Sequence, residues 1–269
     1  MIMNIFARKK QTSVKLPHRR KTVGVAFGGG GLKGSAHVGV LQVLAEYGIP
    51  IDYVAGTSIG SAVAALYASG YDWRKLDILF NEYDIQSLLK VRPNRKGLIP
   101  AEGYTELIRT CTKGRQIQEM DVPLKIVAVD LLSRKKIVFS SGDTATAVRA
   151  SSSLPGVFTP VHMGDMLLVD GYILDNCPGD VVRNMGADVV IAISLHVCDT
   201  SEPTNILGIV NRSLDIAAHS FQEIDADIVL SPIDEPMGTL DTQNIAVCRE
   251  LGEKCAREHI DEILKLIGR

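Results

Sequence analysis

Short apolar runs alternate with longer amphipathic stretches along most of this chain. Residues 22–27 (TVGVAF) are β-rich and bounded by glycines, and predict a buried strand. Residues 35–48 (SAHVGVLQVLAEYG) predict a helix that is apolar nearly all round and stops at Gly48. Residues 50–56 (PIDYVAG) predict a second strand, and residues 58–70 (SIGSAVAALYASG) a second helix. Strand, helix, strand, helix is the signature of a parallel sheet with helices on its faces.

The middle of the chain reads as helical by period over residues 73–91 and 100–114. Residues 123–133 and 135–142 predict a strand pair, and 144–155 a short helix halted by Pro155. Further strands are expected at 165–171, 188–197 and 227–233, with a helix at 205–225. Residues 242–267 close the chain as one long amphipathic helix, its apolar side marked by Ile245, Leu251, Cys255, Ile260, Ile263 and Leu264. No repeat or linker divides the sequence, so residues 22–269 are expected to form a single α/β domain. Phe80, Tyr83, Leu88 and Leu89 suit either core packing or an apolar lid, and core packing is the simpler reading.

Composition narrows the function classes. The 269 residues are 46% hydrophobic and 22% charged, with a net charge of −2, which gives no general case for nucleic-acid binding. Five scattered cysteines without a Cys-x-x-Cys pair predict reduced thiols, with no disulfide framework and no zinc site. No apolar run is long enough to span a bilayer, and MIMNIFARKK does not match a secretory signal. The expected location is the cytoplasm. Charge is uneven, however: Arg8 to Lys21 holds seven basic residues and no acid. Residues 1–21 are therefore expected to be a flexible basic arm. Residues 8–21 offer a peripheral contact with anionic membrane, at about 1 kcal/mol per basic residue near such a surface.

Two glycine-bounded turns carry the chemistry. In residues 23–37 (VGVAFGGGGLKGSAH), Gly29, Gly31 and Gly34 satisfy G-x-G-x-x-G between a strand and a helix, with Asp52 about twenty residues on. A dinucleotide-binding fold therefore competes. Against it, Asp52 begins the second strand, whereas a ribose-binding acid should end it. Gly56-Thr57-Ser58-Ile59-Gly60 is G-x-S-x-G at a strand-to-helix turn, the form of a nucleophile elbow, with Ser58 at the tip and room only for glycine on either side. If the first two strands are neighbours, both turns meet at one rim of the sheet. The N–H groups of Gly29, Gly30 and Gly31 then suit the oxyanion of an ester attacked by Ser58, each such donor being worth about 3 kcal/mol.

Ser58 needs a base. The order Ser58, Asp170, His196 would suit a triad, and His37 and His162 are further candidates. None of the six histidines stands in a recognisable catalytic signature. Asp170 in MLLVDGYILDN ends an apolar strand directly before Gly171, a position that fits either a catalytic carboxylate or a plain turn.

Taken together, the glycine loop, GTSIG, ASSSLPGVFTPV and Asp-Gly-Tyr resemble the patatin-like phospholipases, in their bacterial cytoplasmic branch, over roughly residues 22 to 185. The resemblance implies a three-layer α/β/α sandwich with a mostly parallel central sheet. It implies a Ser–Asp dyad of Ser58 and Asp170, with Gly29 to Gly31 as oxyanion hole. Lys33 matches the loop's usual basic position, and Gly34, Gly56, Gly60 and Gly171 support the motifs. Tyr172 departs from the glycine or alanine usual after Asp-Gly. The implied activity is two-step hydrolysis of phospholipid or lysophospholipid esters through an acyl-enzyme, with no metal and no cofactor. Three alternatives stay open: a hydrolase of small soluble esters or thioesters, a dinucleotide-dependent oxidoreductase, and a non-catalytic acyl-binding regulator.

Overall fold

Val23–Phe27 (β1) and Val189–Ile193 (β7) are buried at every position, as strands covered on both faces must be. In the computed structural model, which describes residues 19–82, 102–219, 223–238 and 242–269, these strands join Tyr53–Thr57 (β2), Leu124–Asp130 (β3), Lys135–Phe139 (β4), Val161–Met163 (β5), Met166–Asp170 (β6) and Ile228–Leu230 (β8). They form one eight-stranded sheet in the order β5-β6-β3-β2-β1-β7-β8, with β4 also paired to β3. Adjacent strands β3, β2, β1, β7 and β8 run parallel, while β4, β5 and β6 pair antiparallel.

The two faces differ in side-chain size. Val25, Phe27, Val54, Ile126, Ile191 and Ile193 pack into the larger core. That core includes residues of helices α1 (Ser35–Glu46), α2 (Ile59–Ala68), α3 (Trp73–Glu82), α4 (Glu102–Cys111), α5 (Thr144–Ser151), α8 (Ile245–Glu258) and α9 (Ile260–Ile267). The opposite face presents Ala26, Ala55 and Ala192 to Val181 and Val182 of the short helix α6 (Gly179–Arg183). A Cβ on Gly24 would lie 2.2 Å from Val182 Cγ1, so small residues let α6 sit close on this side. The result is a three-layer sandwich. Where α1 crosses α8, backbones approach directly: a Cβ on Gly252 would lie 2.0 Å from Ala36 O.

One register places the site. On β3, Val127 pairs with Thr57 at the end of β2, and the next residue, Ala128, pairs with Asp170 at the end of β6. Because β4 occupies the other edge of β3 over Ile126–Asp130, β2 and β6 share one edge and meet C-terminus to C-terminus. Residues distant in sequence thereby become neighbours.

Several elements are shorter than their sequence patterns. The run at 188–197 is strand only to Ile193, because the chain leaves the sheet and residues from Leu195 line a cavity. The closing helix is broken at His259 into α8 and α9 (Ile260–Ile267). The helix expected over 205–225 is α7, Ile206–His219. Asp52 precedes β2 and pairs with Arg20 at 2.6 Å, at the end of the sheet opposite the glycine loop. An acid there cannot meet a ribose held by that loop. The last residues of the basic run are anchored: besides Arg20, Arg19 pairs with Asp188 and Lys21 donates to Leu266 O. This corrects the free arm expected through residue 21, and residues 1–18 lie outside the described residues. Phe80 is buried in the core; Tyr83, Leu88 and Leu89 fall outside the described residues. No described helix is long and apolar enough to cross a membrane.

Gly252→Ala should cost about 1–3 kcal/mol by forcing α1 and α8 apart, seen as a Tm lower by several degrees in thermal melts. An unchanged Tm would mean the two helices do not need this close approach.

Candidate active site

Ser58 lies between β2 and α2 with φ 54° and ψ −128°, a left-handed backbone that a serine adopts only under constraint. The constraint is visible on every side. Ser58 N–H donates to Ser151 Oγ at 2.9 Å, and that hydroxyl donates to Val127 O at 2.6 Å. Ser61 Oγ donates to Ser58 O at 2.6 Å. A Cβ on Gly56 would sit 2.3 Å from Gly60 O, and one on Gly60 2.1 Å from Phe27 O. The turn folds onto itself and onto β1, leaving space for backbone alone.

Across the meeting point of β2 and β6, Ser58 Oγ donates to Asp170 Oδ2 at 2.7 Å. Asp170 Oδ1 accepts from Tyr172 N–H at 3.0 Å. Asp170 is 2% exposed, and burial pushes its carboxyl up to about 7, opposed by the hydrogen bonds from Ser58 and Tyr172. A hydroxyl bonded to a buried carboxylate that is partly ionised near neutrality has what base-activated attack requires.

The glycine loop needs one correction. Gly29 N–H donates to both Asn176 O at 3.0 Å and Asn176 Oδ1 at 3.1 Å, so it is taken up by structure. Among the described residues, the Gly30 and Gly31 N–H groups meet no protein acceptor. A Cβ on Gly29 would press on Asn176 Oδ1 at 2.6 Å, and one on Gly30 on Leu195 Cβ at 2.8 Å. Lys33 lines the same cavity as Ser58, but its Nζ donates to Leu195 O at 3.0 Å, tying the loop to the chain beyond β7, and burial lowers its pKa. Gly34 lets the loop close on Ile59, whose Cγ1 would be 2.5 Å from a Cβ. Gly171 does the same against Val127 O at 2.6 Å.

The three histidines considered as bases have other surroundings, although His196 lines the same cavity as Ser58 and Asp170. His37 is fully buried under the loop, its Nε2 2.9 Å from Gly28 O, with burial driving its pKa down to about 4. It stays neutral and props the loop. His162 is exposed on β5. His196 stacks on His219, with ring centroids 3.3 Å apart and planes 13° apart, and both face Asp215. The ligand atoms of His196, Asp215 and His219 lie within 4.8 Å of one another. Parallel stacked rings direct their lone pairs along separate planes, so as they stand the two imidazoles do not converge on one ion. Asp215 instead accepts from Tyr172 OH at 2.9 Å.

Ser58, Asp170, Gly30 and Gly31 line a cavity of about 1070 Å³ whose far wall is built from residues after β7 and from α7. Asn176, Ser151 and the cavity-facing side of α7 carry no motif of their own in the sequence. Asn176 follows Asp170 by six positions in DGYILDN, and Ser151 ends α5 and opens the serine run. The only available signal was their closeness to motifs already noted.

Comparison with known proteins finds a matching family, related sequences and similar folds. A profile described as patatin-like phospholipase matches residues 25–182. The chain is 35% identical over 191 residues to patatin-like phospholipase domain-containing protein 7 of Rattus norvegicus, covering 68% of this chain and 14% of that protein. It is 35% identical over 179 residues to an uncharacterized NTE family protein of Mycobacterium tuberculosis, covering 65% of this chain and 49% of that one. The chain thus spans half or less of these relatives. Among solved structures, VipD of Legionella pneumophila superposes with a TM-score of 0.62 at 14% identity, over 90% of this chain and 67% of that one. ExoU of Pseudomonas aeruginosa, in its complex with SpcU, gives 0.52 at 16% identity, over 93% and 53% of the two chains. At such identities these two structures share the fold.

The raised Asp170 carboxyl carries a stability cost with a definite sign. The folded form holds the proton up to about pH 7, while the unfolded chain releases it near the ordinary aspartate value of 3.8. Stability is therefore lost as pH climbs through that window. Asp170→Asn should melt several degrees above the unsubstituted chain at pH 8, with the gap closing below pH 4. Equal gaps at both pH values would rule out a buried, proton-holding Asp170.

Proposed function

The chain belongs to the patatin-like phospholipase family, and from that premise we propose that it is a serine acyl hydrolase of lipid esters, with Ser58 as nucleophile and Asp170 as base. The observation that carries the proposal is the 2.7 Å hydrogen bond from Ser58 Oγ to a buried carboxylate with no histidine between them. Residues 22–269 act in this reading as one catalytic unit.

Asp170 takes the hydroxyl proton as Ser58 Oγ attacks the ester carbonyl carbon. The charge that develops on the carbonyl oxygen is met by the free Gly30 and Gly31 amides and by the N-terminus of α2, which begins one residue after Ser58. The tetrahedral intermediate collapses, its carbon–oxygen bond to the alcohol breaks, and the alcohol leaves with the proton from Asp170. Water then attacks the acyl-enzyme, Asp170 accepts the water's proton, the fatty acid departs, and Ser58 recovers its proton. Ser151 and Asn176 are positioning residues here: one pins the strained Ser58 amide, the other pins Gly29 so that the next two amides stay open.

A cavity of about 1070 Å³ favours long acyl chains over small soluble esters. A dinucleotide reading loses its acid, since Asp52 is bound to Arg20 at the far end of the sheet. A pure acyl-binding module would have no use for a buried carboxylate held against a strained serine.

Ser58→Ala and Asp170→Asn should each lower kcat on a chromogenic acyl ester about a thousandfold or more, while His162→Ala retains activity. A fluorophosphonate should label Ser58 and fail to label the alanine variant. If Asp170→Asn keeps its rate while His196→Ala loses it, the dyad assignment is wrong. Because the base must be ionised to accept a proton, kcat/KM should rise with pH through about 7 and then level off. Asn176→Ala should lower kcat about tenfold through a loosened glycine loop, with KM little changed; steady-state kinetics on the same ester read this directly.

A further inference from the structure

Helix α7 is built inside out. A surface helix normally turns its apolar stripe inward and its polar side to water. Here Gly208, Asn211, Arg212 and Asp215 line the cavity. The opposite side of the helix carries Ile206, Ile209, Val210 and Ile216 at 82%, 52%, 45% and 61% exposure. At 3.6 residues per turn these four fall on one continuous face, joined by Ser213 and Ala217, both exposed. Leu174, 44% exposed, extends the apolar surface beside the Gly171–Ile173 turn, which packs against α7. Isolated exposed apolar residues are ordinary, but a contiguous face of them marks a contact.

Resting on the lipid-ester reading above, we propose that the outer face of α7 inserts into the surface of a phospholipid bilayer and brings the cavity wall to its substrate. The charges decide which bilayer. The outer face carries no ionisable side chain, and the helix's arginine, Arg212, is spent on Asp199 at 2.6 Å. The nearby Glu202 and Glu223 are exposed acids. Attraction is therefore apolar, and a zwitterionic surface fits better than an anionic one. This mode differs from electrostatic attachment through the basic N-terminal run, whose anchored end lies at the opposite end of the sheet. The same helix is both the wall of the cavity and the foot on the membrane, so an ester drawn from the bilayer would pass around one helix to reach Ser58.

The test uses the full chain, with phosphatidylcholine vesicles and a soluble short-chain chromogenic ester. Ile209→Ser/Ile216→Ser alters exposed positions only. It should lower vesicle partitioning at least about tenfold and reduce hydrolysis of vesicle lipid in proportion, with kcat/KM on the soluble ester unchanged. Ile209→Trp should strengthen partitioning, since tryptophan favours the membrane interface. Salt should have little effect on binding. Undiminished vesicle binding by the double variant overturns the proposal. So does a dimer in light scattering that the double variant dissolves without any change in vesicle binding, which would assign the face to a second copy. A chain that binds vesicles through α7 but hydrolyses no ester would leave the docking face standing and remove the lipase reading instead.

Discussion

The β3 edge is the constraint on which the rest of the structure depends. Two strands running in opposite directions compete for it, and they divide it between Val127 and Ala128. The end of β2 and the end of β6 must then abut. A serine that follows one and an aspartate that closes the other are forced to within hydrogen-bond distance. No loop has to search for this geometry. Sheet hydrogen bonding sets it, and β4 on the opposite edge holds β3 in place.

Around that junction, backbone replaces side chains. Gly56, Gly60 and Gly171 each stand where a Cβ would strike a main-chain carbonyl. At this close approach Ser58 takes its positive φ, and Asp170 is buried. Burial raises the carboxyl toward neutrality, which costs stability as pH climbs from the ordinary aspartate range to about 7. The strain and the desolvation concentrate at one point and are supported by the large core on one face and the thin alanine-lined layer under α6 on the other.

The cavity wall facing this junction comes from the chain after β7. Tyr172 bridges the two halves: its amide holds Asp170 and its phenol holds Asp215 on α7. The turn carrying the carboxylate is thus fastened to the helix that borders the cavity. With its polar side committed inward, α7 has only its apolar side left to present to the surroundings.

Strand and helix periods, the glycine loop and the G-x-S-x-G turn were all legible from residue types, because each is a local rule of spacing and sterics. So was the bracketing of Ser58 by glycines, since a tight turn excludes side chains wherever it occurs. What the sequence by itself determined was therefore the parallel α/β layout and the two turns that gather at one rim. The sequence did not show that Gly29 spends its amide on Asn176, that Ser151 pins the elbow, that the closing helix breaks at His259, or that α7 wears its apolar face outward. The contacts among these join segments 93 and 147 residues apart, and the rest turns on where a helix ends and which of its sides borders a cavity. Only tertiary structure decides such matters, because hydrogen-bond partners and burial are properties of neighbours in space, and period and composition speak only for neighbours along the chain.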